Sequence, residues 1–272
     1  IAMYGIEEGL IDWDFSIFDE GFFTLPEDGR IYRDWKEGGH GDTNLFKAIT
    51  QSSNTYFFDL AYRSDINQLN KHLSSLGFGN KACIDCFEED QVFVPEPSWK
   101  MNKHNFGWFK GDTVNMGVGQ GYLVSTPIQL AKYAYIMANK GKFSDLSLKK
   151  DLVKSEKSIE FNKFSNDDWF KLHESMVNVI EGNTGTARRL REKKNYIVAA
   201  KTGTAELVSG DNREQYSETR LDDSLRDHAL IIAFGPMPNP RYAVSVVVEN
   251  GESGGSVAGP VAISVLNSLI QE

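Results

Sequence analysis

No stretch of this 272-residue sequence approaches the run of about eighteen apolar residues that crosses a membrane, and its first residues lack the pattern of a signal peptide. Any export or anchoring signal of the parent protein is therefore expected outside residues 1–272. Positive charge is in short supply: 29 Lys and Arg stand against 38 Asp and Glu, giving a net charge of −9. That balance argues against non-specific nucleic-acid binding, which needs clustered cations to meet phosphates. Cysteine is nearly absent. Cys83 and Cys86 form a lone Cys-Ile-Asp-Cys, which cannot complete a four-ligand zinc site without helpers. The βαβ context of a thioredoxin-like redox pair is missing, which leaves a local disulfide or two structural thiols. Internal repeats and low-complexity tracts are absent too.

What remains is an ordinary globular composition, 40% hydrophobic and 25% charged, long enough for one large domain or a domain with an attached lobe. Apolar spacing predicts helices over 1–11, 44–61, 66–75 and 168–180. Thr126 can cap a helix with Pro127 at its first position and Gln129 completing a capping box, and that helix should run to about Asn139 before Gly141. Segments 12–42 and 78–120 read as irregular or loop-like, and 142–166 gives no clear signal. Short β-rich runs at 196–200, 229–234 and 242–249 read as neighbouring strands, followed by a helix over 257–270. Helices first, then a sheet with a helix laid on it, make an α+β layout, divided at about 12–180 and 190–272.

Three stretches could carry chemistry. Ser52-Ser53-Asn54 precedes an apolar helical run, where such a triplet is usually a cap. Lys201-Thr202-Gly203-Thr204 continues a strand of small residues, and a glycine there allows close approach of a ligand or another backbone. The glycine-rich stretch from Gly111 to Gly121 lacks the ending of a phosphate-binding loop and reads as a tight turn near a site.

Together these match the Ser-x-Asn and Lys-Thr-Gly parts of the penicillin-binding-protein signature. The sequence resembles the transpeptidase domain of class B penicillin-binding proteins of the penicillin-binding protein 2 family. The resemblance also rests on Tyr32-Arg33-Asp34-Trp35-Lys36 with Gly39-His40-Gly41, on Gly117 to Tyr122, on Ser125 to Gln129, on Asn183 to Ala187, on Leu225 to His228 and on Glu249-Asn250-Gly251. It implies the penicillin-binding and serine β-lactamase-like fold, with its N-terminal strands missing from this chain. It also implies a peptidoglycan D,D-transpeptidase that cross-links stem peptides through an acyl-serine and is the target of β-lactams. Ser52 would relay a proton to the leaving amine, Asn54 would orient a lysine and the substrate amide, and Lys201 would supply positive charge. Thr202, Gly203 and Thr204 would bind substrate, the two threonine hydroxyls meeting its carboxylate and the Thr204 backbone N–H forming half of an oxyanion hole. Peptidoglycan stem peptides, β-lactams and a membrane-bound elongation machinery are the implied partners. The implied location is the periplasmic side of a bacterial inner membrane.

No Ser-x-x-Lys in the right context precedes Ser52: Ser16 is followed by Ile17, Phe18 and Asp19. The resemblance puts that motif just before Ile1, so this polypeptide is expected not to acylate. No cofactor is implied apart from zinc. Asp19, Asp34 and His40 match the spacing at which some relatives bind it with a cysteine inside the Ser-x-Asn triplet, where this chain has Ser53. A hydrogen-bonded loop network is the competing reading. Against the transpeptidase stand a serine β-lactamase or penicillin sensor, which the long inserts and the want of an obvious deacylating glutamate disfavour, and a non-catalytic scaffold fragment.

Overall fold

The computed structural model describes residues 1–150, 152, 155–207 and 223–270. Its organising element is a three-stranded antiparallel sheet, with β8 (His228–Gly235) between β7 (Ala199–Ala205) and β9 (Tyr242–Val248). Side chains alternate across a strand, and here the alternation divides two cores. Ala200, Ala229, Ile231 and Ala233 face a cluster with Ala262, Ile263 and Leu266 of α9 (Gly259–Ile270), reached by a π turn over Gly254–Ala258. Ala199 and Phe234 face the larger cluster on the other side, with Ile136 and Met137 of α7 (Pro127–Ala138) and Leu172 and Met176 of α8 (Asn166–Glu181). The larger core thus takes residues from both sides of the division near residue 185.

The sheet begins later and runs longer than the sequence suggests: β7 starts at Ala199 and carries the whole Lys-Thr-Gly-Thr stretch. Helix α7 starts as read, with the Thr126 hydroxyl accepting from the Gln129 N–H and the Gln129 side chain accepting from the Thr126 N–H. α4 (Ile66–Ser75) also has the expected limits, and α1 (Ala2–Glu7) is shorter than expected.

Three readings need correction. The expected helix over 44–61 is two helices, α2 (Leu45–Gln51) and α3 (Asn54–Arg63), because Ser52 turns left-handed (φ 58°). The segment 12–42 is not irregular: β1 (Ser16–Asp19) pairs with β4 (Gly41–Asn44), and β2 (Phe22–Thr24) with β3 (Ile31–Arg33). The segment 78–120 contains α5 (Pro97–His104) and α6 (Lys110–Gly117), so Gly111-Asp112-Thr113 is helical, not a turn. The buried Lys100 of α5 meets Asp112 of α6 at 2.5 Å and lies over the Phe109 ring, joining the two. A small strand pair, β5 (Lys142–Phe143) with β6 (Lys157–Ser158), occupies the segment without a sequence signal. Cys83 and Cys86 form a disulfide, one of the two readings left open. No helix among the described residues is long and apolar enough to cross a membrane.

Candidate active site

The break between α2 and α3 makes one wall. A non-glycine residue in the left-handed region costs about 1–2 kcal/mol, and here several bonds offset that cost. The Ser53 N–H donates to the Ala48 carbonyl (3.0 Å), the Ser53 hydroxyl caps α3 by accepting from the Tyr56 N–H, and the Trp35 indole donates to the Ser52 carbonyl (2.9 Å). The capping role read in the triplet therefore belongs to Ser53. Ser52 and Asn54 are left half-buried at the rim.

The second wall is β7. Lys201 Nζ donates to the Ser52 hydroxyl at 2.6 Å and to the Thr202 carbonyl at 2.9 Å, so the two motifs meet. Enclosure of the ammonium away from water pulls the Lys201 pKa down to about 8. Its partners are a hydroxyl and a carbonyl, so its charge remains available to an anion. The Thr202 hydroxyl shares a 2.7 Å hydrogen bond with Thr186, and the Thr204 hydroxyl donates to the Glu252 carbonyl at 3.4 Å.

The glycine argument needs adjustment. A Cβ on Gly203 would meet only the Leu230 Cβ, at an ordinary 3.4 Å. The close approach is made by Gly254, where a Cβ would fall 2.2 Å from the Leu230 carbonyl and 2.7 Å from that of Gly203. Thr186, Trp35 and Gly254, and Gln120, whose side-chain amide donates to the Thr204 carbonyl at 2.8 Å, are thus site residues to which the sequence reading gave no role. Thr186, Trp35 and Gln120 lie inside the stretches that carry the family resemblance, and only that location marks them.

Behind the first wall, Asp19, Asp34 and His40 bring ligand atoms within 4.8 Å of one another, all buried. Asp19 accepts from the Gly21 N–H, the Ser53 hydroxyl and His40 Nδ1. Asp34 accepts from the Lys36 N–H and from the backbone and hydroxyl of Thr55. Burial works against the charged Asp19, but the hydrogen bonds from Ser53, Gly21 and His40 outweigh it and hold its carboxyl below the usual range. Two carboxylates and an imidazole suit zinc, but the fit here is poor. The carboxylate oxygens keep lone pairs beside their protein hydrogen bonds, so the misfit lies at the fourth corner, a hydroxyl committed to Asp19 and Tyr56.

Residues 1–267 match the Transpeptidase family, the penicillin binding protein transpeptidase domain. The chain is 38% identical over 266 residues to the peptidoglycan D,D-transpeptidase MrdA of Acinetobacter baumannii, covering 94% of this chain and 39% of that protein. It is 36% identical over 280 residues to MrdA of Haemophilus influenzae, covering 100% of this chain and 43% of that one. It is also similar to the solved structure of Pseudomonas aeruginosa PBP2 in complex with WCK 5153, with a TM-score of 0.88 at 34% identity, over 100% of this chain and 59% of that one. A complex between PBP2 and MreC from Helicobacter pylori gives a TM-score of 0.86 at 29% identity, over 99% and 48% of the two chains. The chain spans less than half the length of the curated relatives it matches. With its two motifs meeting at 2.6 Å and the family match running nearly end to end, the chain belongs to the penicillin-binding-protein transpeptidase domain family, with relatives of the PBP2 kind.

Proposed function

We propose that these residues form the substrate-binding side of a peptidoglycan D,D-transpeptidase, which joins stem peptides through an acyl-serine. The observation that carries this reading is the 2.6 Å contact between Lys201 Nζ and Ser52 Oγ, across two elements distant in sequence. The Ser52 hydroxyl can take up the proton that the acylating serine releases and hand its own to the leaving amine, while Lys201, with a pKa of about 8, stays mostly charged beside it at neutral pH. The ammonium that remains, with the Thr202 and Thr204 hydroxyls, suits the terminal carboxylate of a D-Ala-D-Ala peptide. In this reading the Thr204 N–H is half of an oxyanion hole and Asn54 orients the substrate amide. The Ser-x-x-Lys pair that forms the acyl bond is taken from the full-length protein. β-Lactams, as mimics of D-Ala-D-Ala, would be held as acyl-enzymes. The Asp19–Asp34–His40 cluster acts as a metal-free staple behind the triplet.

The complex between PBP2 and MreC from Helicobacter pylori supports a partner from the elongation machinery for the full-length protein, and the peptidoglycan D,D-transpeptidase relatives support a periplasmic location for this domain. The test is labelling of the full-length protein with a fluorescent penicillin. Ser52→Ala and Lys201→Ala should each slow acylation about a hundredfold or more. Unchanged labelling in both would remove the reading, and rapid β-lactam turnover would favour a β-lactamase instead.

A further inference from the structure

Strand β7 pairs with β8 on one side, and its other edge faces the cleft. Outward-facing carbonyls on a strand recur every second residue, about 7 Å apart. On this edge the Thr202 carbonyl accepts from Lys201 Nζ, and the next acceptor is the Thr204 carbonyl. That carbonyl is occupied. The Gln120 side-chain amide donates to it at 2.8 Å, while the Gln120 side-chain oxygen accepts from the Glu206 N–H at 3.4 Å. A carboxamide carries the donor and acceptor of a peptide group, so Gln120 meets the edge as one residue of an added strand would.

Its setting allows it to leave. Gln120 follows the end of α6 between Gly119 (φ 78°) and Gly121 (φ 75°), both exposed. A Cβ at Gly119 would touch nothing within 4 Å. Backbone bonds from the Gly119 N–H to the Met116 carbonyl and from the Gln120 N–H to the Asn115 carbonyl (both 3.0 Å) hold the turn while the side chain alone reaches the strand. Release therefore costs a rotamer change and two side-chain bonds rather than unfolding of an element.

We infer that Gln120 is a displaceable stand-in for the acyl-donor peptide: its carboxamide holds the Thr204 carbonyl until an extended peptide takes that acceptor with its own N–H. This inference rests on the transpeptidase reading above. It makes Gln120 a determinant of specificity: a ligand that brings an N–H to that position must displace it, whereas one without an N–H leaves its bond to the Thr204 carbonyl in place.

The experiment compares two β-lactams on the full-length protein: benzylpenicillin, which carries a side-chain amide, and penicillanic acid, which has none. Gln120→Ala should raise the ratio of their acylation rate constants, benzylpenicillin over penicillanic acid, about two- to tenfold, the worth of one competing hydrogen bond. Gln120→Asn keeps the amide but is one methylene too short to reach, and should raise the ratio in the same direction. Thermal melting identifies a variant that has failed to fold, in which case the other decides. A ratio that stays the same or falls in the folded variant overturns the inference. Failure of the wild-type protein to label with either compound would overturn the transpeptidase reading instead.

Discussion

Lys201 Nζ lies 2.6 Å from Ser52 Oγ, tying a sheet edge to the break between two helices. Because enclosure lowers the Lys201 pKa from its ordinary 10.5 to about 8, the unfolded chain binds more protons than the folded one between those values. Stability should therefore rise with pH across that window. Lys201→Met removes the titrating group. Urea unfolding should find the variant more stable than wild type at pH 7, with the advantage shrinking towards pH 10.5. A pH-independent difference would contradict the enclosure argument.

Asp19 has the opposite sign. Its carboxyl is held below the usual range, so its contribution is present at neutral pH and is lost as pH falls through the folded value. Asp19→Asn should cost about 3 kcal/mol at pH 7, because His40 and Ser53 lose a buried ionic partner. The gap from wild type should narrow in acid. Denaturant titrations at pH 7 and pH 3 measure both ends.

Ser53 separates a hydrogen-bonded cluster from a zinc site by one atom type. Elemental analysis of the wild-type protein should find zinc well below one equivalent. Ser53→Cys puts a thiolate beside Asp19, Asp34 and His40, and should raise zinc towards one equivalent, because three hard or borderline ligands then gain a soft fourth. Stoichiometric zinc in the wild type would refute the poor fit argued from the committed Ser53 hydroxyl.

Gly254 lets the end of β7 sit against the turn before α9. Gly254→Ala would force a Cβ onto the Leu230 and Gly203 carbonyls. The substitution should cost about 1–3 kcal/mol in stability and move the Thr204 backbone. Penicillin labelling of the full-length protein should fall by more than the stability loss explains. Gly203→Ala, with a single ordinary contact to Leu230, should be milder on both counts.

Much of the site was legible in the sequence because its motifs are local strings. Lys201 to Thr204 sit on the strand that their small neighbours suggest, and the Thr126 capping box needs only four consecutive residues. The helix break at Ser52 was not legible. A left-handed serine leaves no periodicity signal, and its compensation comes from Trp35, which a reading of the 44–61 window does not include. The hairpins within 12–42 escaped for a related reason. Ser16 pairs with Asn44 and Phe22 with Arg33, and these strands of three or four residues are mostly exposed, so the alternation is too short to register. Helices α5 and α6 are joined by the buried Lys100–Asp112 pair, which no apolar pattern announces.

The Asp19 carboxylate, which anchors the β1–β4 hairpin to the cap of α3, has a further consequence for the order of assembly. Residues 34 positions apart must meet before Ser53 is fixed. Helices α2 and α3 can form early from local contacts, whereas the Asp19–Ser53 bond waits on closure of the intervening loop. The Ser52–Asn54 triplet therefore gains its final geometry late in folding. A substitution in the hairpin, far from any substrate, would appear as slow recovery of penicillin binding after refolding while helical structure returns at its usual rate.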